Sequence, residues 1–312
     1  MAWNVNKIMN NYYNCMLCPR GCGVNRAVTT GICNSTDICK IVRASLHYWE
    51  EPCISGENGS GTIFFAGCTL GCVFCQNYAI SDGKSQYGIE VDTDRLAEIF
   101  FELGEKGANN INFVTPTHYM PHIKEAIIKA RGKGFKLPFV YNTSGYERAE
   151  ILRELDGLID VYLPDMKYFD DELAWKYSKA KDYTYRTMEA LKEMVRQTGA
   201  VQLNDKGVIQ KGVIVRHMIL PAHTKDSKRI IEYLYKAYGD EIYISIMNQY
   251  TPVQTDRMQR YPELARGITA REYEKVIAYA LELGVENAYI QEGETCKESF
   301  IPVFDGEGCR KE

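Results

Sequence analysis

Six short apolar runs punctuate the chain: Gly61–Ala66, Asn110–Val114, Leu137–Tyr141, Ile159–Leu163, Gly212–Leu220 and Glu241–Met247. Each is of strand length, and most lack polar alternation, as expected for parallel strands buried on both faces. Between them the apolar positions recur at helical spacing. Leu96, Ile99, Phe100 and Leu103 follow an Asp92/Thr93 cap signal, and Tyr273, Val276, Ile277, Ala280 and Leu281 follow Thr269. Similar patterns predict helices over Pro121–Arg131, Arg148–Asp156, Tyr183–Gln197 and Ser227–Tyr238. Six strands alternating with helices predict an α/β fold, a parallel sheet covered by helices. Val201–Lys211, centred on Asn204-Asp205-Lys206-Gly207, interrupts the alternation and reads as a hairpin before the fifth strand. Asn248–Gly267 is a long polar loop after the sixth.

Parallel strands present ligands at their carboxyl ends, so the residues that close each run are the candidates for chemistry. The first run leads into Cys68, Cys72 and Cys75. The second ends in Thr115-Pro116-Thr117-His118, the third in Asn142-Thr143-Ser144 and the fourth in Asp165-Met166-Lys167. The fifth contains Arg216 and runs to Leu220-Pro221, and the sixth ends at Gln249-Tyr250. Polar and charged groups therefore collect on one predicted rim. Each also has a plainer explanation: Asp165 and Lys167 as a surface pair, Arg216 paired to a structural carboxylate, Asn142 and Ser144 as turn formers.

Composition narrows the class. The 312 residues suffice for one large α/β domain with an appendage, and 45% hydrophobic with 25% charged residues is ordinary for a globular protein. A net charge of −4 argues against a general binder of nucleic acid or anionic membranes. No run approaches the ~20 apolar residues of a spanning helix, and Met1–Lys7 lacks a signal-peptide core. The cytoplasm is the expected location.

Eleven cysteines change the picture. In a reducing compartment they point to metal ligands or free thiols rather than disulfides. The spacing Cys68-x3-Cys72-x2-Cys75 can bring three thiolates to one soft metal centre and leaves a four-site cluster one ligand short. Such an open position is where a substrate or cofactor binds. Cys15, Cys18, Cys22 and Cys33 form a second set that can close a site for zinc or another iron–sulfur cluster, or remain as loop thiols. Cys39 and Cys53 read as packing residues.

With Phe74 before the last thiol, and the motif directly behind the first strand, the sequence resembles the radical S-adenosylmethionine (SAM) superfamily. The resemblance implies a partial (βα)6 TIM-type barrel over residues 58–290, with a Cys-rich extension over 1–57 and a tail over 291–312. It implies a [4Fe-4S] cluster on Cys68, Cys72 and Cys75 and SAM on the fourth iron. Reductive cleavage to a 5′-deoxyadenosyl radical and hydrogen abstraction would follow, chemistry supplied by the cofactors and aligned by the protein. Within the superfamily the chain resembles homologues of pyruvate formate-lyase activating enzyme. That implies a glycyl-radical enzyme as substrate and flavodoxin or ferredoxin as electron donor. Asp165-x-Lys167, Arg216 and the Leu220-Pro221 turn match positions implicated near SAM. Asn142, Ser144 and Gln249 are further candidates for it, and His118 a candidate proton relay. One position departs: where a Gly-Gly-Glu-like motif receives the SAM amino group, this chain has Thr115-Pro116-Thr117-His118. Thr115 and Thr117 then become the expected acceptors. Competing readings are radical modification of another peptide or small molecule, and an iron–sulfur electron-transfer or metal-sensing protein.

Overall fold

A computed structural model describes residues 11–81, 88–291 and 301–311. Met1–Lys7 and Cys296 lie outside the described residues. The strands are β1 (Lys40–His47), β2 (Ser60–Phe65), β3 (Ile89–Glu90), β4 (Ile111–Val114), β5 (Phe139–Thr143), β6 (Val161–Pro164), β7 (Gln202–Leu203), β8 (Ile209–Met218), β9 (Tyr243–Met247) and β10 (Ala288–Ile290). They form one sheet in the order β10-β9-β8-β6-β5-β4-β2-β1-β3, with β7 paired to β8 off this path. From β2 through β4, β5, β6, β8 and β9 to β10 every neighbour is parallel. The six predicted strands are therefore present in sequence order, joined by crossovers, and among the described residues the sheet's two ends do not pair. That is a partial α/β barrel.

Local chemistry accounts for the element boundaries. Asp92 caps the helix Thr93–Glu105 by accepting from the Arg95 N–H, and Thr269 with Glu272 forms a capping box on Ala270–Leu283. The hairpin turn is held by Asn204, whose Oδ1 accepts from the Lys206 and Val208 N–H groups. The helix predicted over Arg148–Asp156 is broken into Ala149–Leu152 and a 3₁₀ turn at Arg153–Leu155. Among the described residues no helix is long and apolar enough to cross a membrane.

Alternation along each strand sorts side chains between two cores. Phe139 and Tyr141 face the helices, joining Phe100, Phe113, Ile123 and Ile127, while Val140 faces the lumen with Val161, Leu163 and Ile214. Cys53 and Ile54 pack on that lumenal group. Asn109 and Asn110 fix the short helix Pro52–Ser55 by donating to the Ser55 and Ile54 carbonyls. The lower lumen is thus filled from the N-terminal extension.

The extension also contributes β1, antiparallel to β2 from Ile41 to His47, which the sequence pattern did not reveal. Residues 301–311 close over the same edge: Gly306 donates to the Val42 carbonyl and Ala44 to that of Glu307. Arg43 pairs with Asp305 at 2.9 Å and with Glu307. Helix Asp171–Ser178 was likewise not predicted; it follows an Asp170 cap on the Glu172 N–H.

Candidate active site

The rim anticipated at the carboxyl ends exists as one pocket. Cys68, Cys72, Cys75, Thr115, Asn142, Ser144, Asp165, Lys167, Arg216 and Gln249 all line it. The thiols come from the loop that leaves β2, which turns through Gly67 (φ +90°) and Gly71 (φ +64°). A Cβ on Gly67 would stand 2.4 Å from Ser35 Oγ and 2.7 Å from the Cys33 carbonyl oxygen, so only glycine fits. The Leu70 N–H donates to Cys68 Sγ at 3.4 Å, and Val73 N–H to the Tyr177 carbonyl at 2.9 Å. Phe74, 2% exposed, packs edge-on against Tyr168, Tyr177 and Tyr250 and anchors the loop from below.

Facing the thiols is a chain of alternating charge. Lys167 Nζ donates to Asp165 Oδ2 at 2.7 Å, and Arg216 Nε to Asp165 Oδ1 at 3.1 Å. Arg216 also donates to Glu50 Oε2 at 3.1 Å and to the Asn142 side-chain oxygen. Glu50 Oε1 accepts from Asn112 at 3.0 Å. Burial opposes ionisation of Asp165, yet Lys167 and Arg216 hold its carboxyl below the usual range. Burial likewise disfavours charge on Lys167, but Asp165 and Cys72 raise its pKa. Glu50 goes the other way: burial outweighs Arg216 and pushes its carboxyl up. The structural-carboxylate explanation of Arg216 thus holds together with its place on the pocket wall.

Burial pushes the Cys68 thiol up, and so does Cys72; the Leu70 and Gly71 N–H groups and Lys167 act against this. Burial, Cys68 and Cys72 push Cys75 up to about 12, with Lys167 again opposing. A metal centre must displace these protons, and nearby donors lower the cost.

Two predicted site residues lie elsewhere. Thr117 Oγ1 donates to Glu147 Oε1 at 2.5 Å, joined there by the Thr143 hydroxyl. His118 is 1% exposed, with Nε2 at 2.7 Å from the Ala66 carbonyl oxygen. Burial, then Arg26, drops its pKa to about 3. A 3₁₀ turn over Thr117–Tyr119 carries both residues into the interior. Neither Thr117 nor His118 is among the residues that line the pocket. Thr115 does face the pocket, at the strained φ of +60°.

The structure adds Glu50, Trp49, Met218 and Met247 to the pocket lining. Glu50-Glu51 before Pro52 was visible as an acidic pair, but no local pattern says that β1 will deliver it into the lumen. Cys15, Cys18 and Cys33 are buried and Cys22 half-buried, all as free thiols. Among the described residues no group of three or more His, Cys, Asp or Glu side chains is placed as a ready cage for a metal ion.

An uncharacterized protein of Methanocaldococcus jannaschii is 28% identical over 288 residues, covering 90% of this chain and 78% of that protein. The crystal structure of Streptococcus suis SuiB bound to S-adenosylmethionine has a TM-score of 0.49 at 13% identity, covering 72% of this chain and 48% of SuiB. SuiB bound to its precursor peptide SuiA has a TM-score of 0.47 at 13% identity, covering 71% of this chain and 46% of that one. The chain spans about half the length of SuiB. The radical SAM superfamily itself matches residues 62–234, from within β2 into the helix Thr224–Tyr238 and more than half of the 312 residues. The three-thiol loop, the parallel strands behind it and the polar rim all fall within that span or open onto its pocket, and the chain belongs to the radical SAM superfamily.

Proposed function

We propose that the protein is a radical SAM enzyme in which Cys68, Cys72 and Cys75 hold a [4Fe-4S] cluster and the pocket beside them receives SAM. The observation that carries this is the shared pocket: three thiols of one loop open onto the wall formed by Lys167, Asp165 and Arg216. A four-iron cluster takes each thiolate on a different iron, so its ligands stand farther apart than those of a single-ion cage. When bound, the cluster and SAM supply one-electron reduction and hydrogen abstraction.

The chain's own residues supply placement. The Leu70 and Gly71 N–H groups stabilise charge on the Cys68 sulfur. Lys167, whose charge acts on Cys68 and Cys75, offers an ammonium to a ligand carboxylate. Thr115, Asn142, Ser144 and Gln249 present hydroxyl and amide groups suited to amino and ribose groups. Glu50, lacking in the sequence-derived set, adds a carboxylate to a pocket whose second core strand carries none. Met218, Met247, Phe64 and Val114 provide apolar surface that excludes water.

The proposed reaction is hydrogen abstraction from a polypeptide, with a glycyl-radical enzyme as the particular case and flavodoxin or ferredoxin as donor. Its support is the motif resemblance of Asp165-x-Lys167, Arg216 and Leu220-Pro221. One anaerobic experiment tests the core of the proposal. The protein is reconstituted with iron and sulfide, then given dithionite and SAM, and 5′-deoxyadenosine is measured. Product is expected from the wild type and none from a Cys68/Cys72/Cys75→Ala triple variant. Equal product from both overturns the assignment.

A further inference from the structure

Arg20 lies inside the first cysteine set, in Cys18-Pro19-Arg20-Gly21-Cys22, yet its guanidinium reaches the second. Nε donates to the Thr69 carbonyl at 2.9 Å and Nη2 to that of Leu70 at 2.9 Å. Nη2 also meets the Ser178 carbonyl at 2.7 Å, and Nη1 meets that of Lys179. The group sits 5.3 Å from the Tyr146 ring centroid. Five contacts on one partly buried side chain make a fixed bolt between the extension, the thiol loop and the end of helix Asp171–Ser178.

The chemistry lies in which peptides it grips. The Thr69 carbonyl shares a peptide unit with the Leu70 N–H, and the Leu70 carbonyl shares one with the Gly71 N–H. Those two N–H groups are the ones that stabilise the Cys68 sulfur, Leu70 at 3.4 Å. A guanidinium on the oxygen end of a peptide polarises it and strengthens the bond made by its N–H. Hydrogen bonds to a cluster's sulfurs, and positive charge beside them, raise its reduction potential.

We propose that Arg20 is a positioning residue that fixes and polarises the 69–70 and 70–71 peptides against Cys68 and so raises the potential of the cluster carried there. This rests on Cys68 being a cluster ligand. A mere brace would leave the potential alone.

The test is an EPR-monitored redox titration of the full chain after anaerobic reconstitution, comparing wild type, Arg20→Gln and Arg20→Lys. In Arg20→Gln the reduced-to-oxidised ratio at a fixed poise is expected to fall about tenfold, a shift of ~59 mV to more negative potential for one electron. Arg20→Lys, keeping charge but losing the planar fork, is expected to shift less in the same direction. Arg148→Gln is the control: that side chain touches Met16 and Glu150 and is expected to leave the potential unchanged. Wild-type potential in an iron-replete Arg20→Gln protein overturns the proposal. Where Arg20→Gln does not fold, Arg20→Lys decides on the same criterion. Loss of iron by a variant whose circular dichroism is unchanged supports the positioning. Failure of the wild type to load iron instead overturns the assignment of Cys68, Cys72 and Cys75.

Discussion

Two loops of this protein are rich in cysteine, and their surroundings differ more than their sequences do. The Cys15–Cys33 set is knitted by backbone bonds: Cys15 N–H to the Val24 carbonyl, Gly23 N–H to that of Cys15 and Gly21 N–H to that of Cys18. Its thiols lie outside the pocket lining. After burial and a backbone bond from Arg20, the charges felt by Cys18 come from Cys33, Cys15 and Glu147, and all of them raise its pKa. The Cys68–Cys75 set lines the pocket, accepts backbone N–H groups and faces the Lys167 cation. Burial raises the thiol pKa in both settings, but Lys167 opposes the rise at Cys68 and Cys75, whereas the charges around Cys18 all add to it. Residue type is thus a poor guide to role, and the local field is a better one.

The comparison is broken most severely by removing the second set. The Cys68/Cys72/Cys75→Ala variant is expected to lose all bound iron, measured by metal and sulfide analysis. Residual iron or stoichiometric zinc would instead make Cys15, Cys18, Cys22 and Cys33 a metal centre and erase the contrast.

Glu147, beside the first set, gives the next largest effect. Burial raises its pKa from 4.5 to about 7 against the lowering by the Thr117 and Thr143 hydroxyls. The folded state therefore holds a proton that the unfolded state releases at lower pH. Stability from this group is full below about pH 4.5 and is lost as pH rises through about 7. Glu147→Gln keeps the acceptor and removes the titration. The loss avoided amounts to roughly 3 kcal/mol at most. Urea melts at pH 5 and pH 8 check it: a steeper pH dependence in the variant than in wild type would sink the assignment.

On the second side, Lys167→Gln removes the cation facing the thiols. SAM affinity, followed by equilibrium dialysis of the reconstituted protein, is expected to weaken about tenfold, the value of one charge-assisted hydrogen bond. Unchanged affinity would place Lys167 among structural pairs. The smallest effect is expected from Cys18→Ala. This should cost about 1 kcal/mol in packing and leave iron content at the wild-type level.

Much of the barrel was legible because its signals are local. Apolar runs of strand length, the Asp92 and Thr269 caps and the Asn204–Gly207 turn each depend on a few neighbouring residues, and all are found in place. Strand-end placement then followed from parallel topology, so seven of the polar rim candidates and the three thiols needed only a correct strand count. His118 and Thr117 do not join the pocket lining because the chain turns sharply after Thr115 and buries them. Their polarity suited a rim, but their hydrogen bonds to Ala66 and Glu147 are made in the interior.

What the sequence by itself determined is the three-thiol loop at the end of a first parallel strand, since spacing and strand order are properties of neighbouring residues. What only the tertiary structure decided is who serves that loop. Arg20 stands 48 residues before Cys68 and Glu50 stands 166 before Arg216, and neither pairing has a periodicity to announce it. Both arise because β1 folds back along β2, carrying its flanking segments to the rim and into the lumen. Hydrogen bonds and charge act over a few ångströms, so a partner is defined by where the chain returns and not by how far along it lies.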